Sequence, residues 1–311
     1  MKAAQISEYG DASVVKITEI DKPSAKAGQV LIEVHSASLN PFDTIVRAGY
    51  MKDMIPLQLP VTLGGDIAGE VVKVGEGVTD LVVGDKVYGQ ANVVAGNSGA
   101  FAEYAATAAG QVAKMPESLD FIQAASLPLV GISALQALNE HIKLAFGQKI
   151  LILGGSGGIG SVAIQVAKHL GANVVTTATA EGIEYVKSLG ADTVVDYKTQ
   201  DISELGSDFD AVFDTVSADE FEKALHLLKK GGVGVTMSGD AKEALATELG
   251  LTAVAQMTKV STESLISLAG LVDAKVVVPR VGKEFSLDQI KEAFEARESG
   301  SINGKVIITI K

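Results

Sequence analysis

Residues 150–172, ILILGGSGGIGSVAIQVAKHLGA, contain the pattern that decides the fold. Four apolar residues lead into a cluster of glycines, and apolar residues at helical spacing follow. The cluster has two interpretations. A G-x-S-x-G motif centred on Ser156 is typical of the strand-turn-helix elbow of a serine hydrolase, whereas G-x-G-x-x-G at residues 155–160 is typical of a turn that seats a dinucleotide pyrophosphate.

The segments around this stretch alternate between strand and helix patterns. Strands that alternate with helices through short loops predict a parallel sheet with helices on both faces, because a parallel connection needs a crossover. The sequence therefore predicts a doubly wound, Rossmann-like α/β domain. Its predicted elements are strands 150–153, 172–178, 193–197, 211–216 and 233–239 and helices 159–170, 182–190 and 219–232.

The sequence before this domain has a different pattern. The first 120 or so residues consist of short strand patterns divided by Gly-Asp, Gly-Glu-Gly and Pro turn signals, which predict a compact, barrel-like β domain. The last strand, KVIITI at 305–310, is short and has no crossover partner of its own, so we place it on that β domain and expect two chain crossings. We predict a β-rich domain at 1–122, completed by 266–311, and a dinucleotide-binding domain at 123–265.

Histidine positions decide between the two interpretations of the glycine cluster. A hydrolase needs an acid and then a histidine after the serine. Of the four histidines, only His169 and His226 follow Ser156, and both lie in predicted helices instead of a loop. The dinucleotide interpretation is therefore favoured, with Gly155 permitting the tight turn and Gly157 the approach of the pyrophosphate. Gly160 lets the helix pack close to its strand.

The end of the next strand bears on which dinucleotide binds. NAD enzymes place an acid there, about 20 residues after the glycines, but residues 176–180 are TTATA and carry no carboxylate. Hydroxyl groups at that position suit the 2′-phosphate of NADPH, which a carboxylate would repel. Glu181 lies two residues after Thr179 without a Lys or Arg beside it, so the predicted site for the 2′-phosphate is short of positive charge. NADPH is the predicted cofactor.

Composition excludes several other functions. The chain of 311 residues has a net charge of −12, which argues against binding along a nucleic-acid backbone. It contains no cysteine, so disulfides and sulfur-ligated zinc are excluded. No stretch approaches 18 uninterrupted apolar residues, and the N-terminus lacks the apolar core of a signal peptide. We expect a cytoplasmic protein without a membrane partner.

The chain resembles the medium-chain dehydrogenase/reductase superfamily, and within it the zinc-independent quinone oxidoreductases of zeta-crystallin type. The resemblance implies a GroES-like domain beside the Rossmann domain. Zinc-dependent relatives carry Gly-His-Glu where this chain has Gly65 and Asp66, which implies that zinc is absent. Segments in family order carry the resemblance: MKAAQISEYG, SLNPFDTIVRAGY, LGGDIAGEVVKVGEGVTDLVVGDKVYG, GAFAEYA, AASLPLVGISALQAL, GGSGGIGSVAIQVAKHLGA, KSLGADTVVDY and DAVFDTV.

The resemblance implies hydride transfer from NADPH to a quinone or a conjugated enone that binds between the two domains. Asn40 and Tyr50 are the implied acceptor-positioning residues, with a turn residue and a packing residue as the alternatives. Ser133 is implied to face the nicotinamide amide, or else to be a helix-interior serine. The cofactor-binding candidates are Ser133, Gly155, Gly157, Gly158, Ile159, Gly160, Thr177, Thr179, Tyr197, Ser238, Gly239 and Lys305.

Lys305 is the remaining candidate cation for the cofactor, because relatives carry a basic residue where this chain has Asn303; a solvated strand start is its alternative role. The apolar run 251–258 is predicted to be an edge strand through which the chain forms a homodimer. Two other functions stay open at this point. One is a 2-alkenal reductase acting on lipid-derived aldehydes, and the other is a non-catalytic NADPH-binding sensor.

Overall fold

The computed structural model describes residues 1–300 and 302–311. Within them, no helix is long and apolar enough to cross a bilayer. The chain divides into two units. The first unit comprises Met1–Leu129, Val260–Asp273 and Pro279–Lys311, and the second comprises Val130–Lys259 and Ala274–Val278.

Short strands dominate the first unit, and strands alternate with helices in the second. The strands are β1 (Lys2–Ile6), β2 (Lys16–Glu19), β3 (Gln29–Leu39), β4 (Val61–Thr62), β5 (Asp66–Val74), β6 (Lys86–Gln90), β7 (Tyr104–Ala108), β8 (Val112–Lys114), β9 (Lys149–Leu153), β10 (Asn173–Ala178), β11 (Thr193–Asp196), β12 (Phe209–Asp214), β13 (Leu228–Thr236), β14 (Thr252–Ala255), β15 (Val281–Ser286) and β16 (Lys305–Thr309). The helices are α1 (Pro41–Ala48), α2 (Phe121–Ala125), α3 (Pro128–Leu135), α4 (Gly158–His169), α5 (Ile183–Ser188), α6 (Ala218–Leu225), α7 (Glu243–Leu249), α8 (Thr262–Asp273) and α9 (Ile290–Glu298).

Two sheets build the first unit. One has the order β2-β1-β4, and the other runs β15-β16-β3-β5-β6-β8, with β7 also paired to β3. Ile32 and Val34 of β3 are fully buried, as β-branched residues are when they pack inside such a sheet. Phe101 and Phe294 meet edge to face at 6.2 Å between ring centres and fill the core of this unit.

The terminal strand β16 pairs antiparallel with β3 of the β-rich unit. The expectation that β16 lacks a crossover partner is wrong, because β15 pairs with it in parallel and α9 supplies the crossover between them. The chain also passes between the units four times, where two crossings are expected from the sequence, since 274–278 belongs to the second unit. There Gln165 exchanges two hydrogen bonds with the backbone of Val278.

The second unit is a six-stranded parallel sheet with the order β11-β10-β9-β12-β13-β14. The order reverses direction at β9, which lies between β10 and β12, as in a Rossmann domain. The predicted fold class, a β-rich part and a doubly wound parallel-sheet part, is confirmed. Ligands of such sheets bind at the carboxyl edge where the order reverses, and β9 leads there directly into the glycine cluster.

The helix predicted at 219–232 is shorter than expected. It ends at Leu225, and residues 229–232 belong to β13, where the register against β12 shifts between Leu228 and Val233. Gly231 adopts a left-handed φ of 81° in this bulge, which a helix would not allow. The unit boundaries also differ from the predicted ones, since 123–129 and 260–265 belong to the first unit.

Candidate functional site

The glycine cluster forms a tight turn between β9 and α4. Gly154 adopts a left-handed φ of 82°, and the N–H of Gly157 donates to the carbonyl of Gly154 at 3.0 Å. Gly157 is the N-cap of α4, so the amides of Gly158, Ile159 and Gly160 occupy the first turn, where a helix offers no internal acceptor. These N–H groups and the positive end of the helix create an anion site.

Two glycines of this turn allow close packing. A Cβ on Gly160 would lie 2.3 Å from the carbonyl oxygen of Gly154, and one on Gly155 would lie 2.1 Å from Oγ1 of Thr176. The tight turn was expected at Gly155, but the residue with the left-handed φ is Gly154, and Gly155 is needed because β10 passes so close. The turn therefore has the shape of a dinucleotide cradle that excludes a side chain at Gly155 and at Gly160.

Ser156 has no histidine partner that follows it on a loop. His169 is the last residue of the twelve-residue helix α4 that begins two residues after Ser156, about 16 Å of helical rise from the first residue of that helix, and His226 caps the end of α6. The hydrolase interpretation is therefore not supported by the positions of these side chains.

The two predicted threonines at the end of β10, Thr177 and Thr179, lie in different surroundings. Oγ1 of Thr177 accepts the N–H of Gly154 at 2.9 Å and is buried, so this hydroxyl supports the glycine turn. Thr179 is half-buried at the N-cap of the short turn Ala180–Gly182, and its side chain does not cap that turn. Of the two, Thr179 is the one whose hydroxyl stays available to a ligand.

Lys198, a lysine that lies beside Tyr197, was not included in the sequence analysis. Tyr197 is 50% exposed, and its backbone N–H donates to the carbonyl of Ala178 at the end of β10. The Nζ of Lys198 lies 5.2 Å from the centre of the Tyr197 ring. Lys198 thus brings positive charge near the end of β10, where Thr179 and Glu181 supply none. In the sequence, the lysine directly after the VVDY segment could have indicated this role.

Asp214, which the sequence analysis also missed, is a buried carboxylate that holds the loops at the carboxyl ends of β12 and β13. Asp214, at the end of β12, accepts the hydroxyl of Thr236 at 2.6 Å and the N–H of Val216 at 2.8 Å. Burial raises the pKa of Asp214. The N–H of Ser238 donates to the Thr236 hydroxyl at 2.9 Å, so Asp214 holds the segment that contains Ser238 and Gly239.

Ser133 lies in α3 and is fully buried. Its hydroxyl is 2.7 Å from Oγ1 of Thr258, and its carbonyl accepts Nε2 of Gln256 at 3.0 Å. Because Gln256 in turn donates its N–H to the carbonyl of Thr236, α3 and the ends of β13 and β14 are tied together. The structure thus brings Ser133 close to the strand end that leads to Ser238.

The predicted acceptor residues occupy contrasting positions in the first unit. Tyr50 follows α1 and is 81% exposed. Asn40 is the buried N-cap of α1, where its N–H donates to Asp43 at 2.7 Å in a capping box. The Asn40 side chain donates from Nδ2 to Asp66 at 2.9 Å and accepts the ammonium of Lys305 at Oδ1.

Lys305 therefore belongs to a buried polar cluster and is not a solvated strand start. Asp66 also accepts Nε2 of Gln90 at 2.9 Å and the N–H of Leu129 at 3.2 Å. Burial raises the pKa of Asp43 to about 7 and also raises that of Asp66, whereas burial lowers the pKa of Lys305 to about 8. The buried cluster thus contains two carboxyl groups, of Asp43 and Asp66, and one amine, of Lys305.

Two family models match the chain. The Alcohol dehydrogenase GroES-like domain matches residues 26–117, and the Zinc-binding dehydrogenase model matches residues 189–308.

The donor atoms of this chain do not fit the zinc that the second description implies. The carboxylates of the buried cluster, Asp43 and Asp66, bond to neighbouring amides and face the positive charge of Lys305, which opposes a second cation. Across residues 1–300 and 302–311, no group of three or more His, Asp or Glu side chains is placed to hold a metal ion.

Several relatives are similar to the chain over nearly its whole length. The 2-methylene-furan-3-one reductase of Solanum lycopersicum is 39% identical, over 99% of this chain and 79% of the relative. The NADPH-dependent alkenal/one oxidoreductase of Arabidopsis thaliana, described as chloroplastic, is 36% identical with the same coverage.

Two solved structures are similar to the chain over nearly its whole length. The quinone oxidoreductase from Coxiella burnetii superposes with a TM-score of 0.92 at 33% identity, over 100% of this chain and 99% of that one. The Escherichia coli quinone oxidoreductase complexed with NADPH gives a TM-score of 0.88 at 25% identity, over 99% and 100%. The chain belongs to the quinone and alkenal oxidoreductases of the medium-chain dehydrogenase/reductase superfamily.

Proposed function

We propose that this protein is an NADPH-dependent oxidoreductase that transfers hydride to a conjugated enone or a quinone without zinc. The observation that carries the proposal is the turn between β9 and α4, in which Gly155 and Gly160 leave no room for a Cβ, at the edge where the strand order reverses. The sequence relatives described above, whose names specify alkenal, enone and NADPH chemistry, support the same assignment.

The residues of the second unit fit NADPH in three places. The first-turn amides of α4 receive the pyrophosphate, and Thr179, Tyr197 and Lys198 receive the adenosine phosphate. Ser133 and the segment at Ser238 and Gly239 hold the nicotinamide. When bound, NADPH supplies the hydride.

The acceptor chemistry requires a hydride and a proton in each turnover. In a conjugated enone the hydride adds to the carbon β to the carbonyl, negative charge builds on the carbonyl oxygen, and a proton completes the saturated ketone. Such an acceptor needs no metal if hydrogen-bond donors face that oxygen and the reacting atoms are held in line. The chain supplies donors at Asn40 and Tyr50.

The relatives support enones as one of the proposed acceptor classes. Both sequence relatives quoted above have names that specify a carbon–carbon double bond conjugated to a carbonyl group. A lipid-derived 2-alkenal has the same conjugated system, so it belongs to the same acceptor class. A non-catalytic sensor is not favoured.

The assembly and location belong to the same proposal. β14 is the last strand of its sheet, and we propose that two chains join there as a homodimer. A cytoplasmic location stays a prediction, as does the absence of nucleic-acid and membrane partners.

An acceptor panel tests the proposed activity. NADPH oxidation is followed with a conjugated enone, a quinone, a 2-alkenal and a saturated ketone of matched size. We expect turnover with the three conjugated acceptors and none with the saturated ketone. Tight NADPH binding without turnover of any acceptor would instead support the sensor.

A further inference from the structure

The orientation of the Asn40 side chain is fixed by its two charged neighbours. An ammonium only donates hydrogen bonds, so Oδ1 of Asn40 must face Lys305. Nδ2 then faces the carboxylate of Asp66. Lys305 is 8% exposed and lies at the start of β16, 265 residues away along the chain. The tertiary fold therefore sets the orientation of this amide.

One N–H of the amide keeps only a marginal partner. Nδ2 of Asn40 bonds Asp66 at 2.9 Å, while its other contact, to the carbonyl of Ser38, is at the 3.5 Å limit of a hydrogen bond. The positive charge of Lys305 on Oδ1 polarises the amide and strengthens Nδ2 as a donor. A strong donor thus remains largely unused.

A second donor without a partner lies on the same face of the sheet. Ser38 is fully buried, and no described residue bonds its Oγ. Ser38 pairs with Asp66 across β3 and β5, and residues directly opposite in an antiparallel pair project from the same face. A buried hydroxyl without a partner is costly, so its persistence beside Asn40 calls for a ligand.

We propose that Nδ2 of Asn40 and Oγ of Ser38 bind the carbonyl oxygen of the acceptor, and that Lys305 is the positioning residue that orients Asn40. The inference rests on the proposed function. A carbonyl oxygen has two lone pairs, so it satisfies both donors at once when it displaces the marginal contact with the Ser38 carbonyl. As hydride reaches the β carbon, the charge that builds on this oxygen strengthens both bonds.

Ser38→Ala is the sharpest test, measured as steady-state kinetics of the full chain with NADPH and a conjugated enone. The substitution removes a hydroxyl that lacks a protein partner, so the melting temperature should stay unchanged or rise. We expect kcat/KM for the enone to fall about tenfold. Ser36→Ala, at a neighbouring buried serine of β3, is the matched control and should retain wild-type kinetics.

Lys305→Met tests the positioning role. We expect kcat/KM for the enone to fall at least about tenfold, while the Kd for NADPH from a fluorescence titration stays unchanged, because the second unit holds the cofactor. Lys305→Arg should restore part of the loss by keeping the cation. Lys291→Met, at an exposed lysine of the first unit, is the control.

The outcomes separate the two proposals. If the wild-type chain reduces the enone and Ser38→Ala matches Ser36→Ala in kcat/KM, the oxygen site is wrong and the proposed function stands. If the wild-type chain reduces no conjugated acceptor, both proposals fail. A loss of activity in Lys305→Met that is accompanied by weaker NADPH binding would overturn the positioning role.

Discussion

We expect single charged side chains to set the preference of this chain between NADPH and NADH and the response of its interior to pH. Lys198 is the residue that changes the sequence-based account most, because the strand end at Thr179 otherwise offers only hydroxyl groups and Glu181. Its ammonium lies 5.2 Å from the Tyr197 ring, which keeps it close to that strand end.

Lys198→Met should lower the preference for NADPH over NADH about tenfold, because a cation near the 2′-phosphate favours only the phosphorylated cofactor. The ratio of kcat/KM values for the two cofactors measures it. Lys187→Met, at an exposed lysine paired with Glu184, is the control and should leave the ratio unchanged. An unchanged ratio in Lys198→Met would remove Lys198 from the phosphate site.

Asp43→Asn should stabilise the protein increasingly as pH rises. Burial raises the pKa of Asp43 from 3.8 to about 7, so folding favours its protonated form. This favourable contribution is complete below about pH 4 and is lost as pH rises to about 7. Asparagine keeps an acceptor for the N–H of Asn40 but never ionises.

Thermal melts of both proteins at pH 5 and pH 8 measure the effect. We expect the variant to gain more in melting temperature at pH 8 than at pH 5. An equal difference at the two pH values, or a larger gain at pH 5, would contradict a raised pKa at Asp43. Asp66 and Lys305 are the charged neighbours in this cluster that act on the result.

At the scale of elements, we expect cofactor binding to depend on the glycine turn. Gly160→Ala should weaken NADPH binding at least about tenfold, because its Cβ would lie 2.3 Å from a backbone oxygen and α4 would have to move. Gly270→Ala is the control, since a Cβ there meets no atom within 4 Å. A fluorescence titration with NADPH that finds the same Kd in Gly160→Ala as in Gly270→Ala would show that the turn does not hold the cofactor.

The turn was predictable from the sequence because its determinants are local. A strand, three spaced glycines and an amphipathic helix lie within 25 residues, and their pattern alone predicts the anion site. The same local reasoning assigned the tight turn to Gly155, whereas Gly154, the residue before the motif, is the one with the left-handed φ. It also extended α6 through residues 229–232, where a bulge set by pairing with β12 overrides the helical pattern.

The buried cluster was out of reach of such reasoning. Asn40, Asp66 and Lys305 lie in three separate segments, and only the pairing of β16 and β5 with β3 brings them together. Without that pairing, Lys305 is one lysine at the start of a strand. The unsatisfied hydroxyl of Ser38 likewise exists only once the sheet surrounds it.

The whole molecule combines a β-rich unit and a dinucleotide-binding unit, and its predicted assembly depends on one exposed edge. Ala255→Lys should convert a dimer into monomers, because a charged side chain on an exposed edge strand opposes pairing with a second sheet. Sedimentation at micromolar concentration should give twice the 32.1 kDa of one chain for the wild type. A monomeric wild type would contradict the homodimer.

The central claim is hydride transfer from NADPH to the β carbon of a conjugated enone. The most direct measurement uses NADPH labelled with deuterium at the transferring position and locates the label in the product by NMR. The account predicts a saturated ketone with deuterium on the carbon β to the carbonyl. An alcohol with deuterium on the carbonyl carbon, or a product without deuterium, would contradict it.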